Sequence, residues 1–225
     1  TFYLPFGASS DTYLSLDYFS SEFRQQMVVD YENMLNTIDF YALDGRRSFT
    51  RNYQVDFNIE PLRRLTVTTT FRYTDARIEL SGKGLVEKPL TSRYKGVLNI
   101  QYATNLNKWI FDFTASVNGK SRVYDFMRDM RDDSGNLLYE NGYTPAYPLL
   151  YLQVTKRFKG VDIYLGAENL CNFRQEHLLA GTLIEGLPEG MSMVNTALPD
   201  FDASAVWGPI MGTKIYLGVR YTLWK

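Results

Sequence analysis

From residue 51 to residue 60 the chain alternates between two kinds of side chain without a break. Tyr53, Val55, Phe57 and Ile59 are apolar, and Asn52, Gln54, Asp56, Asn58 and Glu60 between and beside them are polar. A period of two puts successive side chains on opposite faces of a strand, so this stretch has one apolar face and one wet face. Pro61 has no N–H to give to a ladder and is expected to end it. The alternation resumes with Leu65, Val67, Phe71 and Tyr73 set against Thr66, Thr68, Thr70, Arg72 and Thr74. It returns over residues 94–102, 109–120, 150–158, 161–168 and 214–223. The first segment, about 12–31, is less regular. Leu14, Leu16 and Tyr18 hold one phase and Phe19, Phe23, Met27 and Val29 the other, which predicts a bulge near Tyr18 and Phe19. Eight strands follow, and no helix.

The connections sort themselves by length. Residues 61–64, 104–108 and 159–160 form tight turns, whereas 32–47, 79–93, 121–145 and 172–212 are long. Short and long alternate throughout, so every long loop leaves the same end of the sheet. A soluble sandwich has no physical reason to do this, but an outer-membrane barrel has short periplasmic turns and long outer loops. Strands of about 9–11 tilted residues cross the hydrocarbon layer, and only a closed barrel leaves no unpaired backbone in lipid. The polar faces carry Thr, Asn, Gln, Asp and Arg and read as a watered lumen; a soluble barrel would turn its apolar face inward. Trp109, Phe158 and Tyr221 lie near short turns or the C-terminus, where a membrane-interface girdle belongs. The expected fold is all-β: an antiparallel up-and-down transmembrane β-barrel segment of about eight strands, in contact with lipid.

Composition removes most other classes. Lys and Arg number 24 and Asp and Glu 25, a net charge of −1, which argues against nucleic acid as a partner. Mean hydropathy is −0.26, and no run approaches the ~18 apolar residues of a spanning helix. The 17 Tyr, 14 Phe and 3 Trp suit a sheet with an amphipathic surface. Cys171 and His177 are single, which excludes a disulfide framework and a thiolate zinc site and leaves little room for nucleophilic catalysis. No enzyme, no cofactor and no metal site is expected. His177 beside Glu176 reads as an exposed loop histidine, and Cys171 as a small residue at a strand end. Met127, Met130, Met191 and Met193 read as loop packing in preference to copper ligands. Asp129, Asp132, Asp133 and Asn136 read as a turn in preference to a calcium site. Arg46, Arg47, Arg128 and Arg131, with Tyr41, Tyr124, Tyr139 and Tyr143, stand on or near long loops. Together with His177 they are the ligand-contact candidates, since Arg and Tyr suit capture of an anionic or aromatic chelate; an ordinary solvated rim accounts for them equally.

Two stretches go beyond pattern. One runs Tyr164-Leu165-Gly166-Ala167-Glu168-Asn169-Leu170-Cys171-Asn172-Phe173. The other runs from Phe201 through Val206-Trp207-Gly208-Pro209 to Gly212-Thr213-Lys214-Ile215-Tyr216-Leu217-Gly218-Val219-Arg220-Tyr221. Together they resemble the last two strands of TonB-dependent outer-membrane receptors of Bacteroidetes type. Val28-Val29-Asp30, Phe71-Arg72-Tyr73-Thr74-Asp75 and Lys88-Pro89-Leu90 also fit that family's downstream barrel. Gly166, Glu168, Asn169, Trp207, Gly208, Pro209, Gly212, Tyr216 and Gly218 are the positions the resemblance marks as structural. Thr213 stands where the family often has Arg, and the ending Leu223-Trp224-Lys225 is not aromatic at its last residue.

The resemblance implies a 22-stranded barrel, an N-terminal plug and a segment that engages TonB. This sequence covers about the last eight strands, so residues 1–225 are expected to form a single partial β-barrel domain, an open curved part of the wall. The start at Thr1-Phe2-Tyr3, without an initiator Met, fits a removed signal peptide or a piece of a longer protein. The function implied is import of a siderophore, cobalamin or similar chelate across a bacterial outer membrane. The alternative is a complete eight-stranded barrel serving as adhesin or membrane-integrity protein. A ladder between the first and last strands would favour that alternative; unpaired edges there would favour the partial wall.

Overall fold

The computed structural model of the protein describes residues 1–8, 11–32, 38–131, 134–175 and 206–223. Its strands are β1 (Phe2–Tyr3), β2 (Tyr13–Phe23), β3 (Met27–Asp30), β4 (Asp39–Ala42), β5 (Ser48–Leu62), β6 (Leu65–Leu80), β7 (Gly84–Glu87), β8 (Tyr94–Ala103), β9 (Trp109–Asn118), β10 (Tyr147–Phe158), β11 (Val161–Glu168) and β12 (Lys214–Tyr221). Helical structure among the described residues is confined to 3₁₀ turns at Asn105–Asn107, Asp125–Met127 and Glu140–Gly142. One sheet runs β1-β2-β5-β6-β8-β9-β10-β11-β12 with every neighbouring pair antiparallel, and β7 pairs with β6. Among the described residues no ladder joins β12 to β1 or β2, so the sheet is open. The eight long strands are those the alternation gave. The additions are short: β1, the β7 extension, and the separate hairpin β3–β4.

The bulge falls elsewhere than expected. β2 and β5 pair without a register shift from Tyr13↔Asn58 to Phe23↔Ser48, so there is none at Tyr18 and Phe19. The change of phase comes from the chain leaving the sheet after Phe23. Gln26 then accepts the Leu43 N–H on its carbonyl, and its side chain accepts the Ser48 hydroxyl, turning β3 back on β4. Nor does Pro61 end its strand. Ile59 pairs with Val67 and Leu62 with Leu65, leaving Glu60 and Pro61 opposite Thr66 alone. A bulge is where a strand can carry a proline, because the extra residue needs no ladder partner.

Register settles which side chains share a face. Tyr18 pairs with Tyr53, Tyr53 with Tyr73, and Tyr73 with Tyr94, so four strands in succession carry a tyrosine at one level of the apolar face. Ring centroids are 5.0 Å apart for Tyr18–Tyr53 and 6.3 Å for Tyr53–Tyr73. Toward the short turns the same face continues through Val55, Phe71, Leu98 and Phe111. It is not packed away: Tyr53 is 49%, Phe111 40% and Leu217 71% exposed. The opposite face is a hydrogen-bonded polar mesh. The Thr70 hydroxyl donates to Asp56 at 2.6 Å, the Gln54 amide to the same carboxylate at 2.8 Å, and the Asn99 amide to Asp112 at 3.0 Å.

The dry cores lie in the long-loop layer. Val28, Leu43, Ile78 and Leu80 bury one cluster where β3 and β4 lie on the far end of β6. Val123, Met127, Met130 and Tyr139 bury another, with Trp207 packed against it. The end of the sheet away from the short turns is thus capped by small folded units, one packed on β6 and one built from the connection after β9.

Candidate ligand-capture rim

The rim is built where three long connections meet. Glu32 leaves β3, Lys83 sits in the turn before β7, and Arg122 and Asp125 follow β9. Arg122 makes a bidentate pair with the buried Glu32 carboxylate, at 2.7 and 2.8 Å, and donates to Asp125 at 2.8 Å. Lys83 reaches the same two acids, Asp125 at 2.6 Å and Glu32 at 3.1 Å. Burial would push the Asp125 carboxyl up, but the Lys83 hydrogen bond and the Arg122 charge together hold it below its ordinary value. Burial works against the charge on Lys83 and Arg122 too, and the carboxylates outweigh it, raising both. Two cations on two acids in this geometry fasten the loops to one another; nothing in the set is left over for a ligand. Sequence reasoning passed over all four, because Glu32 and Arg122 are ninety positions apart and no local pattern joins them.

The sequence candidates divide around this knot. The Tyr41 hydroxyl donates to Asp30 at 3.1 Å and accepts the Ser81 N–H at 3.1 Å, while Arg46 stacks on its ring at 5.1 Å. Tyr143 donates to Glu87 at 3.0 Å, and Arg93 binds both. Tyr124 packs between Tyr31 and Phe126. Tyr139 is buried, its hydroxyl accepting the Trp207 indole N–H at 3.2 Å, and burial pushes its pKa up. These four tyrosines brace the loops. Arg128 and Arg131 are exposed; Arg131 donates to the Gly135 carbonyl at 2.7 Å, and Arg128 lies over Gly142 with its guanidinium 3.8 Å from Asp125. Arg47 lies beside Phe49, on the face that carries the tyrosine row. His177 lies outside the described residues, as do Glu176, Asp132, Asp133, Met191 and Met193. Met127 and Met130 are buried in the loop core. Among the described residues no three His, Cys, Asp or Glu side chains converge as metal ligands.

The motif residues work on backbone. Asn169, at φ 51°, donates to the carbonyls of Phe173 (2.7 Å) and Met211 (3.1 Å) and accepts the Phe173 N–H at 3.1 Å. Gln175 accepts the N–H groups of Trp207 and Gly208, and its own N–H donates to the Pro209 carbonyl. Asn172 accepts the Thr213 N–H at 3.2 Å, with Gly212 against it. Both ends of the last long loop are pinned this way. Below them Glu168 pairs with Lys214, Gly166 with Tyr216 and Gly218 with Tyr164. Each tyrosine ring occupies the space that a Cβ on the opposing glycine would need. The Tyr216 hydroxyl then reaches Gln153 at 3.0 Å on the polar face.

At the short-turn end Trp109, Phe158 and Tyr221 all stand on the apolar face and are exposed. Lys156 lies among them, its ammonium 4.1 Å from the Trp109 ring and 5.8 Å from that of Phe158.

No protein-family model matches the chain, and no curated protein matches it. Among solved structures it is similar to the ferric-catecholate import receptor Fiu of E. coli K12, at 17% identity and a TM-score of 0.47, over 71% of this chain and 21% of that one. It is also similar to BauA, the ferric preacinetobactin receptor of Acinetobacter baumannii, at 12% identity and a TM-score of 0.43, over 69% and 22%. The chain spans about a fifth of the length of each.

Proposed function

We propose that this chain is part of the wall of a TonB-dependent importer in a bacterial outer membrane, carrying a siderophore, cobalamin or similar large chelate. The observation that carries the reading is the two-faced sheet: an exposed apolar face bounded by aromatic residues at both ends, with every long loop at one of them. A sheet that keeps Leu217 and Phe111 exposed and hydrogen-bonds Thr, Asn and Asp on its other face suits lipid outside and water inside. The open edges favour a segment of a larger barrel over the complete small barrel, which needs a ladder between β2 and β12. The resemblance to a Bacteroidetes-type ending rests on the Asn169, Trp207, Gly208 and Pro209 motif residues. Arg46, Arg128, Arg131 and His177 are the groups offered to an anionic cargo, with Tyr41, Tyr124, Tyr139 and Tyr143 holding the loops that bear them. The missing plug and TonB contact belong to the rest of the receptor.

The test is a deletion of the whole gene in its own bacterium, with labelled ferric chelates and cobalamin supplied one at a time. Loss of energy-dependent uptake of one chelate, restored by the gene in trans, is expected. Recovery of the protein in the soluble fraction, or unchanged uptake across the panel, would overturn the reading.

A further inference from the structure

We propose that the short-turn end of the sheet is a docking surface for an extended acidic peptide segment of a partner protein. β10, β11 and β12 meet there in one row of the polar face, where Arg157 pairs with Asp162 and Asp162 with Arg220. The Arg157 N–H donates to the Lys108 carbonyl at 2.9 Å, which carries the row on to the turn before β9. Lys108, Arg157 and Arg220 thus stand around one acid, with Lys108 and Arg157 across from each other. Like charges so placed cost stability, and a carboxylate brought between them relieves it. Asp162 is already engaged, 3.1 Å from Arg157. In the turn between β5 and β6, Arg64 accepts the Ala103 N–H on its carbonyl and binds the Asn105 side chain with its guanidinium. Arg63 beside it and Lys159 in the turn after β10 are exposed. Among the described residues none of Arg63, Arg64, Lys108, Lys159 and Arg220 forms an ion pair, and every ion pair but Arg157–Asp162 lies toward the long loops. The other acids at this end, Asp11 and Glu60, have partners of their own; Glu60 accepts the Arg64 backbone N–H at 2.7 Å. A chain of net charge −1 therefore gathers an excess of cations on one end.

Face and reach select the occupant. Arg157 and Arg220 follow Gln153 and Tyr216 along the polar face, opposite to Trp109, Phe158 and Tyr221, so lipid does not meet them. Arg63 and Lys159 lie beyond the last paired residues of their hairpins, Leu62↔Leu65 and Phe158↔Val161, so the surface looks outward from the end of the sheet. From the Arg63–Arg64 turn to Arg220 on β12 the cations spread over five strand spacings, roughly 24 Å, which an extended chain covers in about seven residues. A run of acidic side chains meets them at several points at once, and such charge complementarity sets encounter rate and choice of partner. The inference rests on the membrane reading above, which puts the short turns in the periplasm, and adds a partner on that side.

The complete gene product, extracted from outer membranes and placed in nanodiscs of zwitterionic lipid, would be titrated with a short polyglutamate peptide, with polyglutamine of the same length, and with a soluble cell-wall glycopeptide. Wild type is compared with Arg63→Gln/Lys108→Gln/Lys159→Gln/Arg220→Gln, and with Arg24→Gln/Lys88→Gln/Lys95→Gln/Lys120→Gln, which removes the same charge from exposed positions away from the short turns. Wild type and the second variant should bind polyglutamate alike, the first variant at least about tenfold more weakly, and the wild-type affinity should fall as salt rises. No saturable binding by wild type, equal weakening in both variants, or equal binding of polyglutamine would overturn the surface. Tighter binding of the glycopeptide than of polyglutamate would overturn the choice of partner. Heat-modifiable migration on gels reports the barrel separately. Where wild type shows it, a failed titration counts against this surface alone; its absence in wild type would sink the membrane reading as well.

Discussion

Asn169 ties Phe173 and Met211, on the two ends of the last long loop, to the end of β11 with one side chain. It adopts a left-handed φ that asparagine tolerates better than most residues, and it satisfies two carbonyls and one N–H across the last long loop. Asn169→Gly keeps the backbone conformation and loses the bonds; Asn169→Ala loses both. We expect Asn169→Ala to cost the β11–β12 pair about 2 kcal/mol and Asn169→Gly somewhat less, read as faster exchange of the Phe173 amide. Equal exchange in both variants and wild type would show that the side chain is idle. Gly166 and Gly218 make the converse point. Valine at either site meets a tyrosine ring, so Gly218→Val should lower the thermal midpoint while Gly135→Val, in open space, lowers it less and only through its φ of 83°.

Charge ties separate connections of the loop layer to one another across its two apolar clusters. Glu32→Ala would leave Arg122 half-buried with only Asp125 and the Glu87 carbonyl as partners, at a cost of about 3 kcal/mol to the local fold. Protease cutting between β6 and β8 should rise while the sheet stays intact. Asp125 has a depressed pKa, so its contribution is complete above the ordinary carboxyl value of 3.8 and is lost as pH falls through the lower folded value. Lys83 is raised, so its share is complete below 10.5 and disappears as pH climbs through the higher folded value. Protection of the loops should therefore be flat across neutral pH and fail at the acid and alkaline ends, with the acid limb smaller in Asp125→Asn. An unchanged acid limb in that variant would remove Asp125 from the latch. None of this is legible in sequence, because the four charges come from three loops and acquire partners only when those loops fold over one another.

For the whole molecule, the pattern of faces was readable and its exact alignment was not. Alternation assigns Phe111 or Leu217 to a face from its immediate neighbours. The level at which four tyrosines meet depends on register, and counting back from the Leu62↔Leu65 pair misplaces it by one residue. The bulge at Glu60 and Pro61 absorbs that residue and brings Tyr53 opposite Tyr73. The clearest whole-molecule test uses two neighbouring positions on paired strands. Leu98, on the apolar face, and Ser116, on the polar face, lie one step apart in depth, since Leu98 pairs with Ala115 and Val97 with Ser116. Leu98→Arg should cost about 2–4 kcal/mol and reduce the amount assembled in membranes, and Ser116→Arg should be tolerated. The opposite ranking would turn the sheet inside out.

If the sheet spans a bilayer as proposed, the level row of tyrosines on β2, β5, β6 and β8 is also its waterline. A two-residue insertion below it in any one of these strands would preserve facing yet lift that ring about 7 Å above its companions. The molecule would then have to list in the bilayer or bend the lipid around it. On that reading strand length below the row is constrained in β5, β6 and β8, while everything above it is free to grow.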